Sequence, residues 1–241
     1  MTRTDIDPAW PAPIRLPGQT AAHPGPVDMT MMYLMHHAFR RDLAAFAAAA
    51  AATPVADREA WAALAVRWEL FSSALHHHHT GEDTGLWPLL VERTDDDGRA
   101  VLRAMEDEHA RIDPILEACA TGFARLATHP DEEARAALAV RLVAGRERLA
   151  EHLRHEETEA IAIIQQVLTP AEWERLDEEV FKEGITFSRI VALVPWVLHE
   201  VPGPVRRQLF AQPGGRMHHL IWRLTRRGFD RRERVAFRHS A

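Results

Sequence analysis

Four long segments of this sequence repeat apolar residues at helical spacing, and this repetition constrains the fold more than any other feature. They run from about Val27 to Ala52, Asp57 to Glu92, Asp97 to Ala127 and Pro130 to Leu168. No window alternates β-branched residues at a spacing of two, so strands are not expected. Short turns join the segments, which makes neighbouring helices antiparallel. The sequence therefore predicts an all-α fold, an up-down-up-down four-helix bundle.

The residues on either side of these segments have a different character. Residues 1–26 are rich in proline and predict an irregular N-terminal arm, whereas 27–168 would form the bundle. A capping box at Thr169 and Glu172 begins another helix. Shorter apolar helices follow, so we expect 169–241 to be a helical C-terminal extension with a basic tail. It would pack on the bundle as a lid, or form a dimer surface.

Composition indicates a cytoplasmic protein without a membrane segment. Apolar residues make up 46% of the chain, enough for a core, and Cys119 is the single cysteine, so no intramolecular disulfide can form. The start of the chain lacks the basic and apolar regions of a secretory signal. The most apolar stretch, Leu43 to Ala52, is too short to span a bilayer.

Charge is distributed unevenly along the chain. The net charge is −6, but Arg206 to Ala241 holds ten arginines against two acids, which gives +8 and leaves −14 on the preceding residues. A basic tail can contact nucleic acid or an acidic partner. A solvated tail, or one folded onto the acidic body, is the simpler interpretation, so nucleic acid is not expected as a partner.

Two His-x-x-x-Glu pairs lie on apolar helix faces, His78 with Glu82 and His152 with Glu156. Residues four apart are neighbours on a helix, and the apolar face is the buried one. Both pairs are therefore expected to point into the bundle. An alternative register would use His79, with Asp83, in place of the first pair. Otherwise the remaining histidines of the run are expected on other faces, at the surface or beside the site: His76, His77 and His79.

The other two long helices each add one inward histidine, His36 and His109. Counted from the turns at about 1.5 Å per residue, His78, His109 and His152 lie at similar depths, while His36 matches less well. Burying such groups unpaired would cost several kcal/mol, which a metal centre removes. Imidazole with carboxylate suits iron, zinc or manganese, and two carboxylates able to bridge favour two ions.

Other residues near these positions are candidates for an extra ligand or for hydrogen bonds to the ligands: Tyr33, Glu106, Asp113, His155 and Glu159. Gly81 and Gly85 interrupt the second helical segment. They indicate close backbone approach, space for a ligand channel, or a loosened last turn before Pro88.

The order of the motifs separates two families of metal-binding bundle. Ferritin-like di-iron proteins use Glu-x-x-His twice, whereas this chain has one inward instance, Glu106 to His109, and has His-x-x-x-Glu twice. The ordered set resembles the hemerythrin-like, or HHE cation-binding, family. The resemblance covers about Met29 to Leu168 and rests on four stretches: MHHAFRRDL, HHHTGEDTGLWPLL, MEDEHARIDPIL and HLRHEETEAI.

This resemblance implies two iron ions, bridged by an oxo group or by carboxylates. The expected ligands are His36, His78, Glu82, His109, His152 and Glu156. Oxygen-carrying hemerythrins have a second histidine where this chain has Asp113, and they place an aspartate one residue after the position of Glu156. The chain therefore resembles the iron-binding branch that is not built as a dedicated O₂ carrier.

The implied function is binding and reduction of small oxidants, namely hydrogen peroxide, nitric oxide or dioxygen, with an electron donor of unknown identity. We expect peroxidase- or catalase-like activity. The alternatives are a non-enzymatic O₂, redox or iron sensor, an iron store, and simple reversible O₂ binding.

Overall fold

The computed structural model describes residues 7–240, and within them every regular element is helical. The ten α-helices, in chain order, are α1 Thr30–Ala52, α2 Arg58–Gly81, α3 Trp87–Val91, α4 Asp96–Thr128, α5 Glu132–His155, α6 Ile161–Val167, α7 Pro170–Leu176, α8 Phe187–Val197, α9 Gly203–Ala211 and α10 Gly215–Ala236. The predicted all-α bundle with a helical C-terminal extension is confirmed. Within residues 7–240, no helix combines the length and the apolar character needed to cross a membrane.

Side chains in the turns start the long helices. Asp57, Asp95 and Asp131 each accept a hydrogen bond from a backbone N–H in the first turn of α2, α4 and α5, which satisfies a donor that the helix itself leaves free. The predicted capping box forms at the start of α7, between Thr169 and Glu172. These caps fix where each of these helices begins.

Two of the predicted long segments contain a π-helical turn. Glu82–Leu86 joins α2 to α3, and Glu156–Ala160 joins α5 to α6. In each turn a backbone N–H donates to the carbonyl oxygen five residues earlier, Trp87 to Glu82 and Ile161 to Glu156. Such turns concentrate at functional sites. Each one here begins at the glutamate of a His-x-x-x-Glu pair.

The four helical rods of the bundle are α1, α2–α3, α4 and α5–α6. Helix α4 packs between α2 and α5, and α1 packs against α5 and α2, which closes the bundle. An aromatic cluster fills one end, where the Phe46 ring lies 5.0 Å from that of Trp68 and 5.4 Å from that of Phe123. Phe46 and Phe123 lie more than two helical turns along the chain from His36 and His109, so the other end holds the polar residues.

The C-terminal extension packs on the outside of α1 and α2. Trp196 of α8 donates its indole N–H to Asp42 (2.7 Å), which also lies 2.6 Å from Arg67. Arg67 in turn donates to Glu233 of α10 (2.6 Å). In the basic tail, Arg238 pairs with acids at the start of α2, so this part of the tail does fold onto the acidic body.

Gly81 and Gly85 allow the segment after α7 to approach α2 and α3 closely. A Cβ atom on Gly81 would lie 2.7 Å from the ring of Phe181, and one on Gly85 would lie 2.7 Å from Val180. The packing therefore supports close approach, and the π-helical turn Glu82–Leu86, which contains Gly85, also agrees with a loosened last turn before Pro88.

Candidate metal centre

The six predicted ligands lie together inside the bundle, and each is at most 4% exposed: His36, His78, Glu82, His109, His152 and Glu156. They come from all four rods, and each is buried because it lies on the apolar stripe of its helix. The Nε2 atoms of His109 and His152 are 3.1 Å apart. The structure therefore brings the whole predicted set to one place, at the end of the bundle opposite the aromatic cluster.

Potential ligand atoms separate into two groups, and within each group they lie within 4.8 Å of one another. The first group is His36, His78 and Glu156, and the second is His79, His109 and His152.

Glu82 and Glu156, the second of which belongs to the first group, each approach a histidine of both groups. Glu82 Oε1 is 3.3 Å from His78 Nε2, and its Oε2 is 3.6 Å from His109 Nε2. Glu156 Oε2 is 3.1 Å from His36 Nε2 and 3.7 Å from His152 Nε2. Each carboxylate can therefore reach a metal held by either group, as a bridging ligand must.

Several polar atoms at this centre make no well-aligned hydrogen bond within residues 7–240, although histidine nitrogens and carboxylate oxygens approach to 3.1 Å. They are Nε2 of His36, His78 and His79 and both carboxylate oxygens of Glu82 and Glu156. Leaving a buried polar group unsatisfied costs about 1–3 kcal/mol, so an arrangement of this kind is unfavourable for a purely structural network. Imidazole nitrogens and carboxylate oxygens are also the donor set of iron, zinc and manganese sites. The residues fit a metal centre.

Carboxylates from neighbouring helices hold the outer nitrogens of the histidines. The Nδ1 atom of His36 lies 3.1 Å from Glu157, that of His109 lies 2.8 Å from Asp83, and that of His152 lies 2.9 Å from Glu108. This arrangement fixes the ring orientation and leaves Nε2 pointing at the centre, as is usual for metal-binding histidines. The sequence interpretation missed these supporting roles, although each acid is adjacent in sequence to one of the proposed ligands.

The π-helical turns explain how two consecutive acids both serve the centre. In an α-helix, neighbouring residues point about 100° apart, whereas the wider π turn lets both Glu82 and Asp83 contact inward groups. Glu156 and Glu157 repeat the arrangement on the opposite rod. Each pair supplies one carboxylate to the centre and one to a histidine on another helix.

Burial and charge together set the pKa values of these groups. Burial lowers the pKa of His36, but the Glu156 and Glu157 carboxylates outweigh it and raise the pKa to about 9. Burial keeps the pKa of His78 well below its usual value. For Glu82, burial and the negative charge of Glu156 both raise the pKa. Burial also raises the pKa of Glu156, but His36 and the other imidazoles outweigh it and lower the pKa.

The other predicted residues divide between the edge of the centre and the surface. Tyr33 is buried, and its hydroxyl oxygen accepts a hydrogen bond from His23 N–H (3.3 Å). His155 lies outside both groups of ligand atoms and shares Glu108 with His152 (2.9 Å). Glu106 and Glu159 are exposed, so the structure does not bring them to the centre. On α4, Glu108 supports the histidine instead of Glu106, because it lies on the side of the helix that faces α5.

His79 differs most from the sequence interpretation, which placed it on another face, at the surface or beside the site. It is 1% exposed, and it lies within the second group of potential ligand atoms. His78 and His79 both point inward because the centre lies between them: His78 faces His36 of α1, and His79 faces His109 of α4. Of the other two histidines of the run, His76 is exposed and His77 contacts the carbonyl oxygen of Phe181 (2.8 Å).

The N-terminal arm covers the centre on the side of α1 and α5. Glu157 accepts a hydrogen bond from Thr20 N–H (2.7 Å) and one from Arg40 (2.7 Å), in addition to its contact with His36. His23 contacts the carbonyl oxygen of Glu157 (3.0 Å). The arm therefore meets the bundle at a residue that also orients a proposed ligand.

Comparison with known proteins gives one match. The sequence model of the hemerythrin HHE cation-binding domain matches residues 28–164, more than half of the chain. Neither curated proteins nor solved structures gave a match. The match spans all four rods of the bundle and both His-x-x-x-Glu pairs, and it confirms the resemblance found from the sequence motifs. The chain thus belongs to the hemerythrin HHE cation-binding domain family.

Proposed function

We propose that this chain binds two iron ions at the buried centre and uses them to bind and reduce small oxidants, namely hydrogen peroxide, nitric oxide or dioxygen. The observation that carries the proposal is the convergence of buried imidazole and carboxylate atoms that make no well-aligned hydrogen bond within residues 7–240. Two groups of ligand atoms, with two carboxylates that each approach a histidine of both groups, support a pair of ions over a single one.

In this proposal each residue of the centre has a defined task. His36 and His78 would hold the first ion and His109 and His152 the second, and Glu82 and Glu156 would each offer a carboxylate to the pair. Bound iron would supply a redox couple and an open coordination position for a small oxidant. Asp83, Glu108 and Glu157 keep the imidazole rings oriented, so that the site is formed before a ligand arrives.

Three features around the centre would affect how water and a small oxidant reach the bound iron. The Phe39 ring lies 5.3 Å from that of His78 and excludes water on the side of α1. Burial raises the pKa of Tyr33 to about 12, so its hydroxyl keeps its proton at neutral pH and can donate to a bound oxidant. A depression of about 90 Å³ between α4 and α5 is open to solvent and reaches one proposed ligand; it is lined by Glu108, Arg111, Ile112, Arg148, Glu151 and His152.

Metal analysis and an optical spectrum of the untagged protein test the metal part of the proposal. We expect about two irons per chain and a charge-transfer band of a bridged iron pair. The activity part is tested by consumption of hydrogen peroxide and of nitric oxide by iron-loaded protein with a chemical reductant. Absence of iron binding would refute the whole proposal, whereas iron binding without turnover would refute the enzymatic part.

A sensor is the second candidate function, and one contact favours it. Trp196 of the C-terminal extension lies 5.9 Å from Phe39, whose ring packs against His78. A change at the centre would therefore reach α8 through a single side chain. Hydrogen exchange with and without nitric oxide tests this function: altered protection of residues 187–236 without oxidant turnover would favour the sensor. A stable, reversible oxy spectrum would instead indicate O₂ binding.

A further inference from the structure

The position of His79 does not suit an ordinary core histidine. Its ring stacks on that of His109, with centroids 3.9 Å apart and an angle of 12° between the planes. Its Nε2 atom has no hydrogen-bond partner in residues 7–240, although buried polar atoms in folded proteins are almost always paired. One ring nitrogen of His79 lies within 4.8 Å of potential ligand atoms of both His109 and His152.

The outer nitrogen of His79 has the same kind of partner as the proposed ligands. Its Nδ1 lies 3.4 Å from a carboxylate oxygen of Asp113, on α4 one turn after His109. The contact is longer than the others, and Asp113 is half exposed. The arrangement nevertheless repeats that of His36, His109 and His152: a carboxylate on Nδ1, and Nε2 turned to the centre.

We propose that His79 is a ligand of the second metal ion, held in position by Asp113. This inference rests on the proposed two-metal function and adds an asymmetry to it. The first ion would have two imidazole ligands, His36 and His78. The second would have three, His79, His109 and His152, with Glu82 and Glu156 between the ions.

The variant His79→Ala, compared with His76→Ala, tests the inference. Both remove an imidazole from the same turn of α2, but His76 is exposed and contributes no atom to either group. The measurements are iron per chain after anaerobic loading with iron(II), and the affinity of each site by competition with a chelator. For His79→Ala we expect the second iron to be lost, which leaves about one per chain, and the bridged-pair band to disappear. We expect His76→Ala to retain two irons.

Asp113→Asn provides a milder variant that leaves every ligand in place. Loss of a partner that orients a metal-binding histidine lowers metal affinity by about 10–100-fold, and we expect a decrease of this size at the second site alone. Because Asp113 is half exposed, this variant should fold even if His79→Ala does not. His79→Gln is a further substitute that keeps a polar side chain of similar reach.

The outcomes separate this inference from the proposed function. If wild type and His76→Ala bind two irons, and folded His79→Ala also binds two with wild-type affinity and spectrum, then His79 is not a ligand and only this inference fails. If Asp113→Asn leaves the affinity of both sites unchanged, the orienting role of Asp113 is refuted. If wild-type protein binds no iron, the proposed function fails and this inference fails with it.

Discussion

Replacing Glu82 by methionine should raise the melting temperature of the metal-free protein and abolish binding of the iron pair. Both carboxylate oxygens of Glu82 are buried and make no well-aligned hydrogen bond within residues 7–240, although Oε1 lies 3.3 Å from His78 Nε2. Burial and the negative charge of Glu156 raise the pKa of this carboxyl well above its usual value. The group therefore destabilises the protein when no metal is bound. Methionine has a similar size and no polar oxygen.

The expected magnitude follows from two opposing effects. Removing an unsatisfied buried polar group stabilises by about 1–3 kcal/mol, while a volume-conserving change in a packed core costs less than about 1.5 kcal/mol. The net gain is about 1 kcal/mol, which corresponds to a rise of about 2–4 °C for a chain of this length. Iron at 100 times its dissociation constant would add about 2.7 kcal/mol to the wild type, and it should add much less to the variant.

Thermal unfolding followed by circular dichroism, before and after anaerobic loading with iron(II), measures both effects. Glu69→Met is the matched control, because it makes the same change at an exposed position of α2 and should shift stability by less than about 0.5 kcal/mol. A metal-free Glu82→Met protein that is clearly less stable than wild type would refute the reasoning. It would mean that the carboxylate is satisfied without a metal. Equal stabilisation of both proteins by iron would show that Glu82 is not a ligand.

Three further predictions concern the surroundings of the centre. Glu157→Gln should weaken iron binding by about 10–100-fold, because it removes the negative charge that orients His36. Chelator competition measures the iron affinity, and an affinity equal to that of wild type would contradict the prediction. Asp42→Asn should lower the free energy of unfolding by about 1–3 kcal/mol at pH 7, because it removes a carboxylate that pairs with buried Arg67 and leaves Glu233 to pair with it. Burial raises the pKa of Asp42, but Arg41 and Arg67 outweigh it and lower the pKa. The stability that Asp42 contributes is therefore present above its unfolded pKa of about 4 and is lost as the pH falls through its folded pKa. Urea unfolding should accordingly show the free energies of unfolding of variant and wild type converging only in strong acid. Gly85→Ala should lower the free energy of unfolding by up to about 2 kcal/mol, since the added Cβ meets Val180 at 2.7 Å and this overpacking exceeds the gain in helix propensity. Gly228→Ala is its control: the nearest atom there is 3.7 Å away, so the change should stabilise α10.

The helical fold and the predicted ligands could be read from the sequence because both depend on short-range periodicity. Apolar residues at helical spacing fix which face of each helix is buried, and His36, His109 and the two His-x-x-x-Glu pairs lie on those faces. The aspartates and the threonine that begin helices act on backbone atoms only a few residues away. Such interactions are local, so the sequence determined where the rods begin and which side of each one points inward.

Only the tertiary structure showed which residues beside those buried faces also contact the centre or its histidines. His79 is adjacent to His78, and helical spacing by itself turns it about 100° away. It points to the centre because α4 brings His109 and Asp113 against it. Similarly, Asp83 and Glu157 contact histidines of other rods because a π-helical turn begins at the preceding glutamate. Spacing within one helix specifies a direction, whereas the distances between groups on four helices depend on how those helices pack.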